Sequence, residues 1–123
     1  MVKYSSFEQS SVWQLAHKVV LRIYGISKNF PKEETYALSS QIRRSVISIE
    51  ANIAEAFGRY HYLDKLSFYY NSRGSLEETK SHLITSKDLE YTTLNEYADI
   101  KSVLEILSKE LNLVITALRN KKR

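Results

Sequence analysis

The sequence predicts an all-α protein built as an antiparallel up-down-up-down four-helix bundle, and three observations lead there. Only three glycines and one proline occur in 123 residues, so turns are few and elements are long; long elements without breakers are helices. Apolar residues recur at three- and four-residue steps in four successive segments. The links between segments are short, and short links force neighbouring helices antiparallel. A chain of this length fits one domain, residues 1–123.

The first helix is expected over residues 11–29, where Val12, Trp13, Ala16, Val20, Ile23 and Ser27 share a face opposite Lys18 and Arg22. Ser10 or Ser11 supplies the cap, and Phe30-Pro31 ends the run, because the residue before proline is pushed out of the helical region. The second runs over residues 33–57 with the seam Leu38, Ile42, Val46, Ile49, Ile53 and Phe57, and Gly58 as its stop. The third covers residues 63–89 through Leu66, Tyr69, Leu76 and Leu83. Gly74 inside it costs about 1 kcal/mol relative to alanine, which predicts a close helix crossing there. The fourth covers residues 95–118 with Asn95 as cap and a heptad seam of Ile100, Leu104, Leu107, Leu111, Val114 and Leu118. A basic tail, residues 119–123, follows. Trp13 and Ile49 are expected to be buried.

Composition removes several classes of function. Apolar residues at 43% and charged residues at 26% are ordinary for a globular protein and too apolar for a disordered one. The absence of cysteine removes disulfides and thiolate metal sites. The opening MVKYSSFEQSS has no apolar core of a signal peptide, and no run approaches the roughly 20 apolar residues of a membrane span. These features read as a cytoplasmic protein of bacterial style. Lys and Arg exceed Asp and Glu by 18 to 14, a net charge of +4, a mild bias toward anionic partners.

The second segment has an unusual back. At about 100° per residue, Ile47 falls opposite the seam, with Ser40, Ala51 and Ala54 beside it. Charges normally occupy such a face. A large aliphatic among small residues suits close packing against another copy, so Ile47, Ala51 and Ala54 are the expected oligomer interface. Ile106 and Leu113, seven apart, form a weaker stripe on the fourth segment. Single exposed aliphatics are also common and carry no function by themselves.

Gln41, Arg44, Ser48, Glu55 and Arg59 lie on one flank of the second segment, and Arg43 and Glu50 lie on the other. Arg73, Lys80 and Lys87 recur every seven residues on the third, a cationic ridge able to track phosphates. For any one of them the plain alternative is a solvated face, with Glu77 within reach of Arg73 and Lys80. Nine tyrosines, among them Tyr60, Tyr62, Tyr69 and Tyr70, are able to stack on bases, although most fall where a tyrosine simply packs. His17, His61 and His82 stand on separate segments without the carboxylate–histidine spacing of di-iron bundles. No nucleophile motif or phosphate loop occurs. No catalytic residue, metal or cofactor is therefore expected, and an enzyme is not.

Two stretches, VWQLAHKVVLRIYGISKNFPKEETYALSSQIRRSVISIEANIAEAFGR and FYYNSRGSLEETKSHLITSKDLEY, resemble the four-helix-bundle family of 23S rRNA intervening-sequence proteins. The likeness runs from Phe7 to Leu118, with Glu50 where relatives commonly carry proline and Ala56 where they carry glycine. A glutamate continues the helix without a kink. The resemblance implies a bundle that assembles into a ring, usually a homopentamer. It also implies similarity to the accessory variability protein of diversity-generating retroelements, a basic ring that binds nucleic acid and a reverse transcriptase. On this chain it points to Arg43, Arg44, Arg59 and Arg73. Two functions follow as expectations: a ring that binds RNA or DNA, or a scaffold for another protein whose arginines bridge to Glu50 and Glu55 across subunits.

Overall fold

Local signals decide where each helix begins and ends. A computed structural model describes residues 5–121 of the chain, and in it α1 spans Ser11–Ser27, α2 Leu38–Phe57, α3 Tyr62–Asp88 and α4 Leu94–Lys121. Ser10 caps α1, its hydroxyl accepting the Trp13 amide N–H at 3.4 Å. A single 3-10 turn, Phe7–Gln9, precedes it. The cap of α4 is Thr93 rather than Asn95. Thr93 Oγ1 accepts the Glu96 amide at 3.0 Å and the Glu96 carboxylate accepts the Thr93 amide at 2.8 Å, a reciprocal capping box.

The second helix starts later than its periodicity suggests. Pro31 leads into a 3-10 turn, Lys32–Glu34, and the chain bends at Ala37 before α2 begins. Glu34 holds this connection. One carboxylate oxygen accepts the Leu38 amide at 3.3 Å and the other accepts the Tyr91 hydroxyl at 2.9 Å. That hydrogen bond raises the Tyr91 phenol above its ordinary pKa, with burial adding to the effect. From Leu38 onward α2 is unbroken through Glu50. It stops at Gly58, whose φ of −81° makes no use of glycine's freedom.

The chain takes a left-handed residue at Glu90 instead, with φ 65°. The Tyr91 amide donates to the Ser86 carbonyl and the Glu90 amide to the Lys87 carbonyl, both at 2.9 Å. This pattern closes the end of α3 as a Schellman motif. Glycine is the residue that usually occupies such a position.

Cross-links between helices set their directions. Ser11 meets Glu110 and Arg22 meets Asp99, so numbering climbs along α1 while it falls along α4. The same opposition holds for Ser27–Arg43 and His17–Glu50 between α1 and α2. It recurs for Ser72–Ile49 and Thr79–Ser45 between α2 and α3, and for Arg73–Asn112 and Lys87–Tyr97 between α3 and α4. Each helix packs on its neighbours in the chain, α1 closes on α4, and no diagonal pair packs. The result is an antiparallel four-helix bundle. No helix among the described residues is long and apolar enough to cross a membrane.

The core contains the expected seams: Ile42, Val46, Ile49 and Ile53 of α2, Leu76 and Leu83 of α3, and Ile100, Leu104, Leu107 and Leu111 of α4. Burial of one such side chain contributes about 1.5–3 kcal/mol. Tyr69 is buried with them, and burial pushes its phenol up to about 12. Trp13 is only partly buried; it lies at the edge of the core between Phe7 and His17. Ile115, absent from the expected seam, is buried, whereas Val114 and Leu118 pack at its margin.

A second seam is polar. Ser72, Thr79 and Ser86 repeat every seven residues on α3 and are fully buried. Ser72 donates to the Ile49 backbone carbonyl at 2.9 Å. Thr79 Oγ1 lies 2.9 Å from Ser45 Oγ, which donates to the Ile42 carbonyl at 3.1 Å. Ser75 donates to Ser48 at 2.9 Å. A serine side chain is short, so its reach to the facing backbone means that α2 and α3 approach closely. Gly74 plays no part in this: it is exposed, and a Cβ there would meet nothing within 4 Å.

Two stability outcomes are expected from urea melts. Ser72→Leu overfills the seam and should destabilise by about 1–3 kcal/mol; a melt matching the parent would show that the helices have slack. Glu90→Gly relieves the left-handed backbone and should stabilise by about 1 kcal/mol. A loss of stability there would mean that the glutamate side chain contributes something its exposed position does not reveal.

Candidate nucleic-acid interface

Arg43 and Arg44 are adjacent in sequence and have different fates. The roughly 100° step between neighbouring residues turns Arg43 into the α1–α2 groove. There its Nε donates to Ser27 Oγ at 2.7 Å and its guanidinium lies 4.8 Å from the Tyr24 ring centroid. On the same flank Glu50 meets His17 Nδ1 at 2.8 Å, and the His17 ring stacks on Trp13 with centroids 4.7 Å apart. Arg44 points to solvent and has no partner among the described residues. Arg59, just beyond α2, lies 3.4 Å from Glu55 and 4.7 Å over the Phe68 ring.

The cations at Arg73, Lys80 and Lys87 line one groove, between α3 and α4. Arg73 donates to Asn112 Oδ1 at 3.0 Å and covers the Tyr70 ring at 5.2 Å. Lys80 borders a small apolar hollow of about 60 Å³ with Leu83, Ile84, Tyr97, Lys101 and Leu104. Lys87 Nζ stands 4.7 Å and Lys101 Nζ 6.0 Å from the Tyr97 ring centroid. The two carboxylates in ion-pair range, Glu77 at 3.6 Å from Lys80 and Asp88 at 3.5 Å from Lys87, are more exposed than their partners. Glu77 is paired with Lys80 and not with Arg73. The groove thus holds four cations, Lys101 included, with two loosely paired acids. Its other contacts are neutral amide and aromatic groups, which orient cations without cancelling their charge.

Sequence periodicity located the ridge but missed Lys101 and Tyr97. The signal was present: Tyr97 and Lys101 are four apart, a spacing that brings side chains together on a helix. The six cations named from sequence do not form one patch. Arg43 belongs to the α1–α2 groove, Arg44 to the outer surface of α2, Arg59 to the α2–α3 end, and only Arg73, Lys80 and Lys87 share a line.

Ile47 is 40% exposed, with Ala51 exposed and Ala54 half-buried beside it. Ile106 and Leu113 of α4 are exposed as well. Glu78 meets His82 at 3.1 Å. No three metal-ligating side chains gather among the described residues. Of the basic tail, Arg119 and Lys121 extend α4 by a further turn, and Lys122 and Arg123 lie outside the described residues.

The family described as 23S rRNA-intervening sequence protein matches residues 8–113. A crystal structure from Bacteroides thetaiotaomicron VPI-5482, described as a protein with unknown function from the S23 ribosomal protein family, is similar at 27% identity and a TM-score of 0.78. The likeness covers 85% of this chain and 97% of that one. No curated protein matches the chain.

The contrast between neighbouring arginines is measurable. Arg43→Ala removes a charge-assisted hydrogen bond and a ring contact and should cost about 1–2 kcal/mol. Arg44→Ala should stay within about 0.5 kcal/mol of the parent. Equal urea midpoints for the two variants would contradict the assignment of Arg43 to a structural role.

Proposed function

The chain belongs to the 23S rRNA-intervening sequence protein family, and on that premise we propose that it is a non-enzymatic, ring-forming protein that binds nucleic acid through its basic surface. The observation that carries the proposal is the α3–α4 groove, where Arg73, Lys80, Lys87 and Lys101 face two acids. Phosphates replace the loose pairing to Glu77 and Asp88, and release of their counterions drives binding. Nothing in the groove reads base edges in a fixed donor–acceptor pattern, so recognition is of backbone rather than sequence. Assembly through Ile47, Ala51 and Ala54 multiplies the effect. Five copies would carry a charge of about +20, five times +4.

A protein scaffold is the less supported reading. It assigned Glu50 and Glu55 to arginines of a neighbouring subunit, and both acids have partners within the chain, His17 and Arg59.

Assembly and binding are tested together on two variants. Ile47→Glu places a charge in the proposed contact and should reduce the mass seen by light scattering. The triple neutralisation Arg73→Gln, Lys80→Gln, Lys87→Gln should keep the parent mass. It should also make the plot of log affinity against log salt shallower by about 2, at 0.7–0.9 per phosphate contact. Unchanged mass for the first variant removes the interface. An unchanged salt slope for the second removes the groove, and a parent that binds neither RNA nor DNA at low salt ends the proposal.

A further inference from the structure

The α3–α4 groove leads to an aromatic end of the bundle that the groove itself does not use. Because the two helices run antiparallel, the start of α3 meets the end of α4. There Lys121 Nζ lies 5.7 Å from the Tyr62 ring centroid. The connection between α2 and α3 presents Tyr60, His61 and Tyr62 around an open hollow of about 270 Å³. It is open to solvent and lined, among the described residues, by these three side chains alone, so it offers ring faces rather than an enclosed pocket. Tyr60 is 87% exposed, Tyr62 is 42% exposed, and the rings of Tyr60 and His61 meet edge to face at 5.1 Å.

The charge around this hollow is positive. Arg59 adjoins Tyr60 in the chain and Lys121 meets the Tyr62 ring, and both cations are exposed. Lys65 is committed elsewhere, donating to the Ala56 carbonyl at 2.9 Å at the end of α2, and burial lowers its pKa. Glu55 accompanies Arg59 and Asp64 begins α3. Exposed aromatic faces flanked by cations are the chemistry that holds unpaired bases: the rings stack and the cations meet the phosphates between them. A duplex keeps its bases stacked inside and offers these rings nothing.

We infer that the Tyr60–His61–Tyr62 end is a stacking site for the unpaired bases of single-stranded nucleic acid, whose phosphates run on along the α3–α4 groove. The inference rests on the proposed nucleic-acid function and adds the class of strand and the residues that select it. Selection comes from the rings, and affinity for either strand form comes from the cations.

The test is fluorescence anisotropy with a labelled ten-nucleotide oligo(U) RNA and with the same strand paired to oligo(A), each over a range of salt. The expected result is tighter binding of the single strand by the parent. The double variant Tyr60→Leu, Tyr62→Leu should lose about ten-fold or more of single-strand affinity, since stacking contributes about 1–3 kcal/mol per base. Its duplex affinity and salt slopes should be unchanged, because no charge is removed. Both positions are exposed, so a thermal melt should match the parent. Tyr36, 95% exposed in the connection between α1 and α2 at the other end of the bundle, is the control; Tyr36→Leu should bind like the parent. If the double variant binds the single strand as the parent does, or the parent shows no preference for it, the stacking site is overturned while salt-dependent binding leaves the proposed function standing. Failure of the parent to bind either probe overturns both.

Discussion

The close approach of α2 and α3 is the constraint on which the rest of the bundle depends. A hydroxyl on a single carbon, Ser72 Oγ, reaches the backbone carbonyl of Ile49 across the interface. That is possible only because the facing positions carry small side chains. Larger residues would hold the helices toward the wide end of the usual 8–10 Å range. Burying hydroxyls costs free energy unless they are paired. The seam meets this requirement through Ser45 and Ser48 across the interface and through carbonyls along each helix, such as the His82 carbonyl that accepts from Ser86 at 2.8 Å. Polar residues at a heptad spacing therefore specify the pairing of these two helices, while Tyr69, Leu76 and Leu83 on the same helix fill the centre.

This division of labour shapes the surface. With its inward face given to isoleucines and one flank to serines, α2 leaves Ile47 and Ala51 exposed and Ala54 half-buried beside them. On the α1 side, Tyr24 and Ser27 draw Arg43 into the fold. On the α4 side, neutral partners hold cations in place without neutralising them. Cations therefore line the groove between α3 and α4, and antiparallel packing runs that line from the Lys87–Tyr97 end to the Tyr62–Lys121 end.

The connections hold this arrangement at the opposite end. Glu34 receives both the first amide of α2 and the hydroxyl of Tyr91, whose ring rests against Phe30 at 5.4 Å. One carboxylate therefore ties the α1–α2 connection to the α3–α4 turn. The left-handed Glu90 next to Tyr91 is a local cost, and the turn it makes sets Tyr91 in that contact.

Amphipathic periodicity is a local property, so the sequence by itself determined four helices, the aliphatic seams and the outward placement of Ile47. Short links and scarce glycine were enough for the antiparallel order. What only tertiary structure decided are features whose partners lie far along the chain. The start of α2 depends on Glu34 and a tyrosine 57 residues away. The fate of Arg43 against Arg44 depends on what α1 presents to one and withholds from the other. Ser72, Thr79 and Ser86 give no core signal in the sequence, because apolar periodicity passes over hydroxyls. In the fold they are core, since each hydroxyl finds an acceptor, Ser72 on the facing helix, Thr79 on both helices and Ser86 on its own. The close crossing expected at Gly74 was displaced to these serines for the same reason: a small residue permits close approach, but only the neighbouring helix determines where the approach occurs.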